Sequence, residues 1–239
     1  MSTVEGASQL DRMLRVPDRR PRVVLFDVFE TMLQVSALRS RFVDVGRPDH
    51  EWELFYTRTL RDGMALTLAG AVRPFAEVAR AALRTTAQHT LSEEALDHVL
   101  AGFAELPPYP DVEPALRALA RARIPAYAFT QGGAEVASDA LDRAGLRTYL
   151  RGVLSTEEIR SFKPPARVYN WACQQVDAMG DRVALVAVHS WDVHGAVRAG
   201  LIGGFATRLE GAVPDVVARP HVVGEDLELV VDRLIALPA

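Results

Sequence analysis

Four consecutive apolar residues, Val23-Val24-Leu25-Phe26, run straight into Asp27, and Val28-Phe29-Glu30-Thr31 follow. A short unbroken apolar run predicts a strand buried on both faces, the kind found inside a parallel sheet, because a half-solvated strand would alternate. A carboxylate at the end of such a strand is costly to desolvate unless it is paired or used. In open α/β sheets, ligands bind outside the carboxyl ends of the strands. Asp27 therefore reads either as a reactive carboxylate or as the cap of a following helix. The strand alone leaves these two readings level.

The same signature recurs along the chain. Pro125-Ala126-Tyr127-Ala128-Phe129 ends at Thr130-Gln131-Gly132-Gly133, and the apolar run 183–188 ends at His189-Ser190-Trp191-Asp192. Further strands are expected over 152–154, 202–206 and 221–223. Helices are expected between them: 112–122 capped by Asp111, 134–144 stopped by Gly145, 166–176, a short one closing at Gly200, and 225–237 stopped by Pro238. Strands alternating with helices predict an α/β fold, a doubly wound parallel sheet of Rossmann-like type. Parallel strands put their carboxyl ends on one edge, so Asp27, Thr130 and Asp192 are expected to converge. Lys163, in the loop Ser161-Phe162-Lys163-Pro164-Pro165, can reach the same edge.

The stretch 38–103 reads differently. Trp52, Leu54, Phe55, Leu60, Met64, Leu66 and Leu68 suggest helices packing through one face, and Ser92 with Glu93 and Glu94 is a helix start. The three prolines of Leu106-Pro107-Pro108-Tyr109-Pro110-Asp111 forbid regular structure across them and mark a boundary. The expected organisation is a mobile tail over 1–21 with a short helix near Gln9–Leu14, a core of 22–37 and 108–239, and an all-helical insert of 38–107.

Composition narrows the function classes. A net charge of −4 and a pI near 5.9 argue against a nucleic-acid partner, which calls for a basic face. The lone Cys173 permits no intramolecular disulfide and fits a reducing cytoplasm. No apolar run approaches the ~20 residues of a membrane helix, and the polar, Arg-containing N-terminus is not a secretory signal. Of the 27 basic residues, only Lys163 is not arginine. Lys is a compact point charge that the planar guanidinium cannot reproduce. Chance survival of one lysine is the competing reading, and composition alone leaves the two even.

Asp27 with Thr31 four residues on, Thr130 after a second strand, Lys163-Pro164, and an acid after a further strand together resemble the four motifs of the haloacid dehalogenase superfamily. The resemblance runs from about Arg22 to Leu237. Within the superfamily the chain looks most like the L-2-haloacid dehalogenases (type II haloacid dehalogenases): Phe29 is an aromatic residue two after the nucleophile position, Tyr169 lies six after Lys163, and Trp191-Asp192 precede the small residues Gly195-Ala196. The resemblance implies Asp27 as nucleophile under a helical cap. Superfamily phosphatases place a proton-donating aspartate where Phe29 stands and a Mg²⁺-binding acid about where Val188 stands. Neither side chain here can serve, so no metal or other cofactor is expected. The cap contains no lysine for the imine that phosphonate hydrolysis needs.

The implied reaction has two steps: Asp27 displaces halide from a small 2-haloalkanoic acid to form an ester, and water then cleaves the ester. In this reading Lys163 keeps Asp27 ionised. Asp192 pairs with Lys163 and helps place the water. Thr31 and Thr130 donate to the nucleophile and the substrate carboxylate, and Gly132 and Gly133 leave backbone N–H groups open. Phe29, Gln131, Tyr169 and Trp191 complete the substrate site, and a homodimer is implied. Three features depart from the family: Ala187, Val188 and His189 replace Ser-Ser-Asn, Gln131 replaces Asn, and Glu53 stands where the cap carries its halide-gripping arginine. Arg58 and Arg61, on the same helix, are the candidate replacements. His189 is read as a general base or as a structural histidine. Two other functions compete with dehalogenation: a hydrolase recruited to a non-halogenated electrophile, and a catalytically silent protein that binds a ligand on the same fold.

Overall fold

The computed structural model describes residues 19–238. The short helix expected near Gln9–Leu14, and all but the last residues of the expected tail, lie outside the described residues. Six strands form one sheet: β1 (Val23–Phe26), β2 (Ala126–Thr130), β3 (Leu150–Ser155), β4 (Val183–Ala187), β5 (Ile202–Ala206) and β6 (Val222–Gly224). Their order is β3-β2-β1-β4-β5-β6 and every pairing is parallel. The chain builds outward from β1 to β3, then returns to the other side of β1 with β4. This makes the β1/β4 junction the switch point, where α/β sheets open a crevice for ligands.

The insert between β1 and β2 holds α1 (Arg39–Asp44), α2 (Glu51–Leu68), α3 (Phe75–Thr86) and α4 (Glu93–Ala101). Five more helices alternate with the later strands: α5 (Val112–Arg121), α6 (Ala134–Arg143), α7 (Ala166–Gln175), α8 (Ser190–Arg198) and α9 (Leu227–Ile235). The period-two geometry of a strand sends Val24 and Phe26 to one face and Val23 and Leu25 to the other. The first pair packs in the cluster that includes α5, α6 and α9, and the second with α7 and α8. Burial on both faces is why β1 and β4 are unbroken apolar runs. β3 is an edge strand with Arg151 exposed. Its apolar signal is short for that reason, and it extends beyond the expected 152–154.

Phe29 knits the insert to the core. Its ring stacks on Phe75 at 5.8 Å and meets Phe103 edge-on at 5.2 Å. Helix α2 docks on the lysine loop: the Phe162 N–H donates to Thr67 Oγ1 at 2.9 Å, and the Phe162 ring occupies the space a side chain at Gly63 would need. Among the described residues no helix is long and apolar enough to cross a membrane.

Helix starts were read well at Ser92, whose Oγ accepts from the Ala95 N–H at 3.3 Å. Asp111 is a correction. It stands at the first residue before α5 but makes no side-chain bond to that helix. Its Oδ2 instead accepts from the Leu227 N–H at 2.8 Å, the first residue of α9, and from Arg208. Asp111 therefore ties two neighbouring helices together across the chain. Asp111→Ala is expected to cost about 2 kcal/mol, a cap plus a half-buried ion pair, and to lower Tm by roughly 4–8 °C in a denaturation scan. Loss of only a few tenths of a kcal/mol would refute the tie.

Candidate active site

β1 delivers Asp27 to the carboxyl edge of the sheet, where it is 5% exposed. Its backbone N–H still donates to Val186 O on β4 at 3.1 Å, so the carboxylate projects just past the last paired residues. Three donors surround it. Lys163 Nζ donates to Oδ1 at 3.0 Å. Thr31 Oγ1 donates to Oδ2 at 2.8 Å, and His189 Nδ1 lies 3.1 Å from the same oxygen. Thr31 is itself oriented, because its oxygen accepts from the Val188 N–H at 3.2 Å.

Lys163 is fully buried and saturated. Its ammonium donates to Asp27, to Asp192 Oδ2 at 2.8 Å and to Phe129 O at 2.9 Å, one acceptor for each proton. It also lies 4.4 Å from the centre of the Phe129 ring. A planar guanidinium could not make those three bonds from one atom, which is a physical reason for this position to be lysine in an arginine-rich chain. Burial alone would raise the Asp27 pKa. The Lys163 ammonium and the His189 ring outweigh that and hold the carboxyl well below the usual carboxylate range. Burial works against the charged Lys163 too, but Asp192 and Asp27 raise its pKa.

His189 follows β4, and its ring is clamped at both nitrogens. Nε2 lies 2.8 Å from Glu30 Oε2, and the ring stacks on Trp191 at 5.1 Å. Burial would favour the neutral imidazole. Bonds to Asp27 and Glu30 overcome it and push the pKa up to about 10. Glu30 is only 8% exposed and sits at φ +66°, a left-handed backbone that non-glycine residues seldom adopt. That conformation, four residues beyond the end of β1, turns its carboxylate back toward His189. The cluster thus holds three carboxylates, Asp27, Glu30 and Asp192, against the cations Lys163 and His189.

A histidine pKa raised above its ordinary 6.5 stabilises the fold fully below 6.5, and the contribution drains away as pH climbs toward 10. Cys173, whose thiol burial pushes up to about 11, adds a loss only above its ordinary 9. Urea denaturation between pH 6.5 and 9 is therefore expected to show stability falling in the wild type and a flatter profile in His189→Asn. Equal slopes would contradict the charged His189.

Several site residues stand elsewhere than the sequence implied. Tyr169 is fully buried, and its hydroxyl donates to Asp192 Oδ1 at 2.7 Å, so it positions Asp192 and cannot touch a substrate. Asp192 has one oxygen on Lys163 and the other on Tyr169 and is itself fully buried, which leaves it no direct hold on a water. Thr130 Oγ1 accepts from the Gly132 N–H at 2.9 Å, so that N–H is not open to an anion. Gln131 Oε1 accepts from the Lys163 N–H at 3.0 Å and shapes the lysine loop. Arg58 turns away to Thr86 Oγ1 at 3.1 Å.

Two cavities flank the cluster. One, of about 600 Å³, lies between α2 and the loops after β1 and β4. Glu30, Trp52, Glu53, Tyr56, Arg61, His189 and Trp191 are among its walls. The other, of about 220 Å³, reaches Gln131 and Phe162 but none of Asp27, Lys163 and Asp192. Phe29, Gly132, Tyr169 and Arg58 line neither. Arg61 reaches the larger cavity with its guanidinium held at Asp62, Nε to Oδ1 at 2.8 Å. Sequence reasoning missed Glu30 and Tyr56. Tyr56 is 4% exposed, and burial, then the charges of Glu30 and Asp27, raise its pKa far above 10, so it stays a neutral phenol. Its only early signal was its place four residues after Trp52 on the same helix face.

A buried strand-end aspartate held by a threonine and a saturated lysine at the switch point of a Rossmann-like sheet defines a class of hydrolase. The family model for haloacid dehalogenase-like hydrolases matches residues 21–200, and the chain belongs to that family. Within it the chain belongs with the (S)-2-haloacid dehalogenases. It is 30% identical over 180 residues to (S)-2-haloacid dehalogenase 1 of Pseudomonas sp. (strain CBS-3), covering 73% of this chain and 79% of that one. It is 25% identical over 205 residues to the (S)-2-haloacid dehalogenase of Pseudomonas fluorescens, covering 83% and 90%. The fold superposes on L-2-haloacid dehalogenase from Xanthobacter autotrophicus with a TM-score of 0.83 at 20% identity, covering 91% and 99%. That protein has also been seen with chloropropionic acid covalently bound.

Proposed function

We propose that the chain hydrolyses the carbon–halogen bond of a 2-haloalkanoic acid through an ester on Asp27, beneath a cap formed by the helical insert. The observation that carries this reading is the state of Asp27: an ionised carboxylate gripped by Lys163, Thr31 and His189, with Phe29, which cannot protonate a leaving group, two residues on. Halide needs no proton to depart, whereas an alkoxide does.

In the first step an Asp27 oxygen attacks C2, a carbon–oxygen bond forms, and halide leaves with its electron pair. In the second step water adds to Cγ of Asp27. His189 takes one proton from that water, the acyl carbon–oxygen bond breaks, the proton passes to the departing oxygen to make a 2-hydroxy acid, and the carboxyl left on Asp27 gives its own proton back to His189. The residues present do not fit a hard divalent cation. Phe29 and Val188 offer no side-chain oxygen, and both oxygens of Asp27 and of Asp192 already take donors.

His189 supplies the base for the second step. Esterification removes the Asp27 charge, which takes away one of the two carboxylates that hold the ring protonated. Its pKa then falls, Nδ1 gives its proton to solvent, and Glu30 keeps Nε2 oriented. The freed Nδ1 faces the ester across the 3.1 Å it spans in the free protein. Asp27, Lys163 and Asp192 act as one unit, with Tyr169 setting Asp192.

The test is halide release from 2-chloro, 2-bromo and 2-fluoro acids with and without EDTA, together with one turnover in ¹⁸O-water. Release that ignores EDTA, with ¹⁸O in Asp27 and not in the first product, is the expected result. Label in the first product would rule out the aspartyl ester. One observation favours a second reading: Glu53 lines the larger cavity where the family carries its arginine, and Arg61, the arginine that reaches that cavity, is held at Asp62. An Asp27 adduct from other electrophiles, with every haloacid inert, would point to a recruited hydrolase.

A further inference from the structure

Leu60 and Met64, on the helix that faces the charged cluster, are left half-buried by the protein's own atoms. They continue a line begun by Trp52 and Tyr56, one residue in every four along α2, so all four share a stripe. A stripe like this ordinarily packs against protein. Here it walls the cavity of about 600 Å³, with Trp191 and Leu209 opposite. His189 and Glu30 line its inner end, where His189 Nδ1 lies 3.1 Å from Asp27.

A 2-halopropanoate presents only a methyl group at C2, and a haloacetate presents none. The cavity lies in the range that holds drug-sized ligands. Its charges also select. Glu30 is matched by His189, while Glu53 and Arg61 are exposed at the rim, so no unmatched buried cation waits for a second acid group. Three aromatic rings and three aliphatic or thioether side chains remain to greet the substituent.

We propose that this cavity takes the C2 substituent and that the preferred substrates are 2-halo acids bearing a bulky apolar group, an aryl-methyl or a long alkyl chain. The proposal rests on the dehalogenase reading of Asp27 and specifies its substrate class. Trp52, Tyr56, Leu60 and Met64 are the specificity-determining residues, and they act by removing the substituent from water. Each methylene buried strengthens binding roughly fourfold, so the three that separate 2-bromopropanoate from a hexanoate amount to roughly sixtyfold.

The experiment measures kcat/KM of the full chain for 2-bromopropanoate, 2-bromohexanoate and 2-bromo-3-phenylpropanoate by bromide release. It repeats the series in Met64→Trp and Leu60→Trp, two independent ways of filling the cavity. The expected result is a rise of tenfold or more from the propanoate to the larger acids, and a collapse of that ratio in whichever variants fold. A flat or falling series, with the propanoate turned over, overturns the proposal and leaves dehalogenation standing. A rise that survives both fillings overturns the placement of the substituent. No bromide from any member and no adduct on Asp27 by mass spectrometry would remove the underlying reading, and this proposal with it.

Discussion

Asp27→Asn is expected to abolish halide release, a loss on the order of 10⁴-fold or more, while leaving the protein folded. An amide is a poor nucleophile, so the first bond cannot form. The fold should survive because the substitution keeps the shape and removes one of three carboxylates that two cations must balance. Lys163 retains Asp192 and Phe129 O, and His189 retains Glu30. With the amide oxygen in the Oδ1 place it still accepts from Lys163, and the NH₂ group, in the Oδ2 place, faces Thr31 Oγ1 and His189 Nδ1. That contact favours a neutral ring, so the His189 pKa should drop from about 10 toward its ordinary value. Halide release with a folded protein, assayed under saturating haloacid, would disprove Asp27 as nucleophile. An unchanged His189 titration by NMR would disprove the coupling.

The second large effect is a stalled intermediate. His189→Asn is expected to release close to one halide per molecule and then stop, with the substrate's mass remaining on Asp27. Lys163 and Thr31 still hold the nucleophile in this variant, so the alkylation step persists. Only the proton acceptor for water is gone, and such a group contributes about 10²- to 10⁴-fold. Asparagine is the residue expected there in the family. It should not restore turnover here, because Ala187 and Val188 replace the two serines that would accompany it. Glu30→Gln should slow the same step less, because the ring keeps its place between Asp27 and Trp191 while losing the charge behind Nε2. In the wild type, decay of the trapped ester should accelerate with rising pH as His189 is deprotonated. Steady turnover by His189→Asn, or a pH-independent decay, would mean that another group activates the water.

Much of the architecture was legible because it rests on local rules. A strand buried on both faces cannot alternate, so β1 and β4 announced themselves as apolar runs, and polar residues at their ends located the active edge. Parallel strands then had to bring Asp27, Lys163 and Asp192 together, however far apart they lie in the chain. Local rules weakened at the edge strand β3, where one exposed side removes the apolar signal. They also failed at Asp111, where the position before α5 was right but the side chain bonds to α9 instead.

The amino-acid sequence alone determined the sheet, the order of its motifs and the meeting of the nucleophile with the chain's single lysine, since each follows from short-range pattern and from the geometry of parallel strands. Only the tertiary structure decided how the polar groups pair. Glu30 reaches His189 through a left-handed backbone turn that no periodicity encodes. Tyr169 and Asp192 close on each other out of contact with any substrate, Arg58 turns away, and a stripe on α2 that reads as packing surface faces an open cavity. Hydrogen bonds and cavities depend on side-chain positions set by residues distant in the chain, to within fractions of an ångström. Apolar pattern fixes which face is buried, but not what stands opposite.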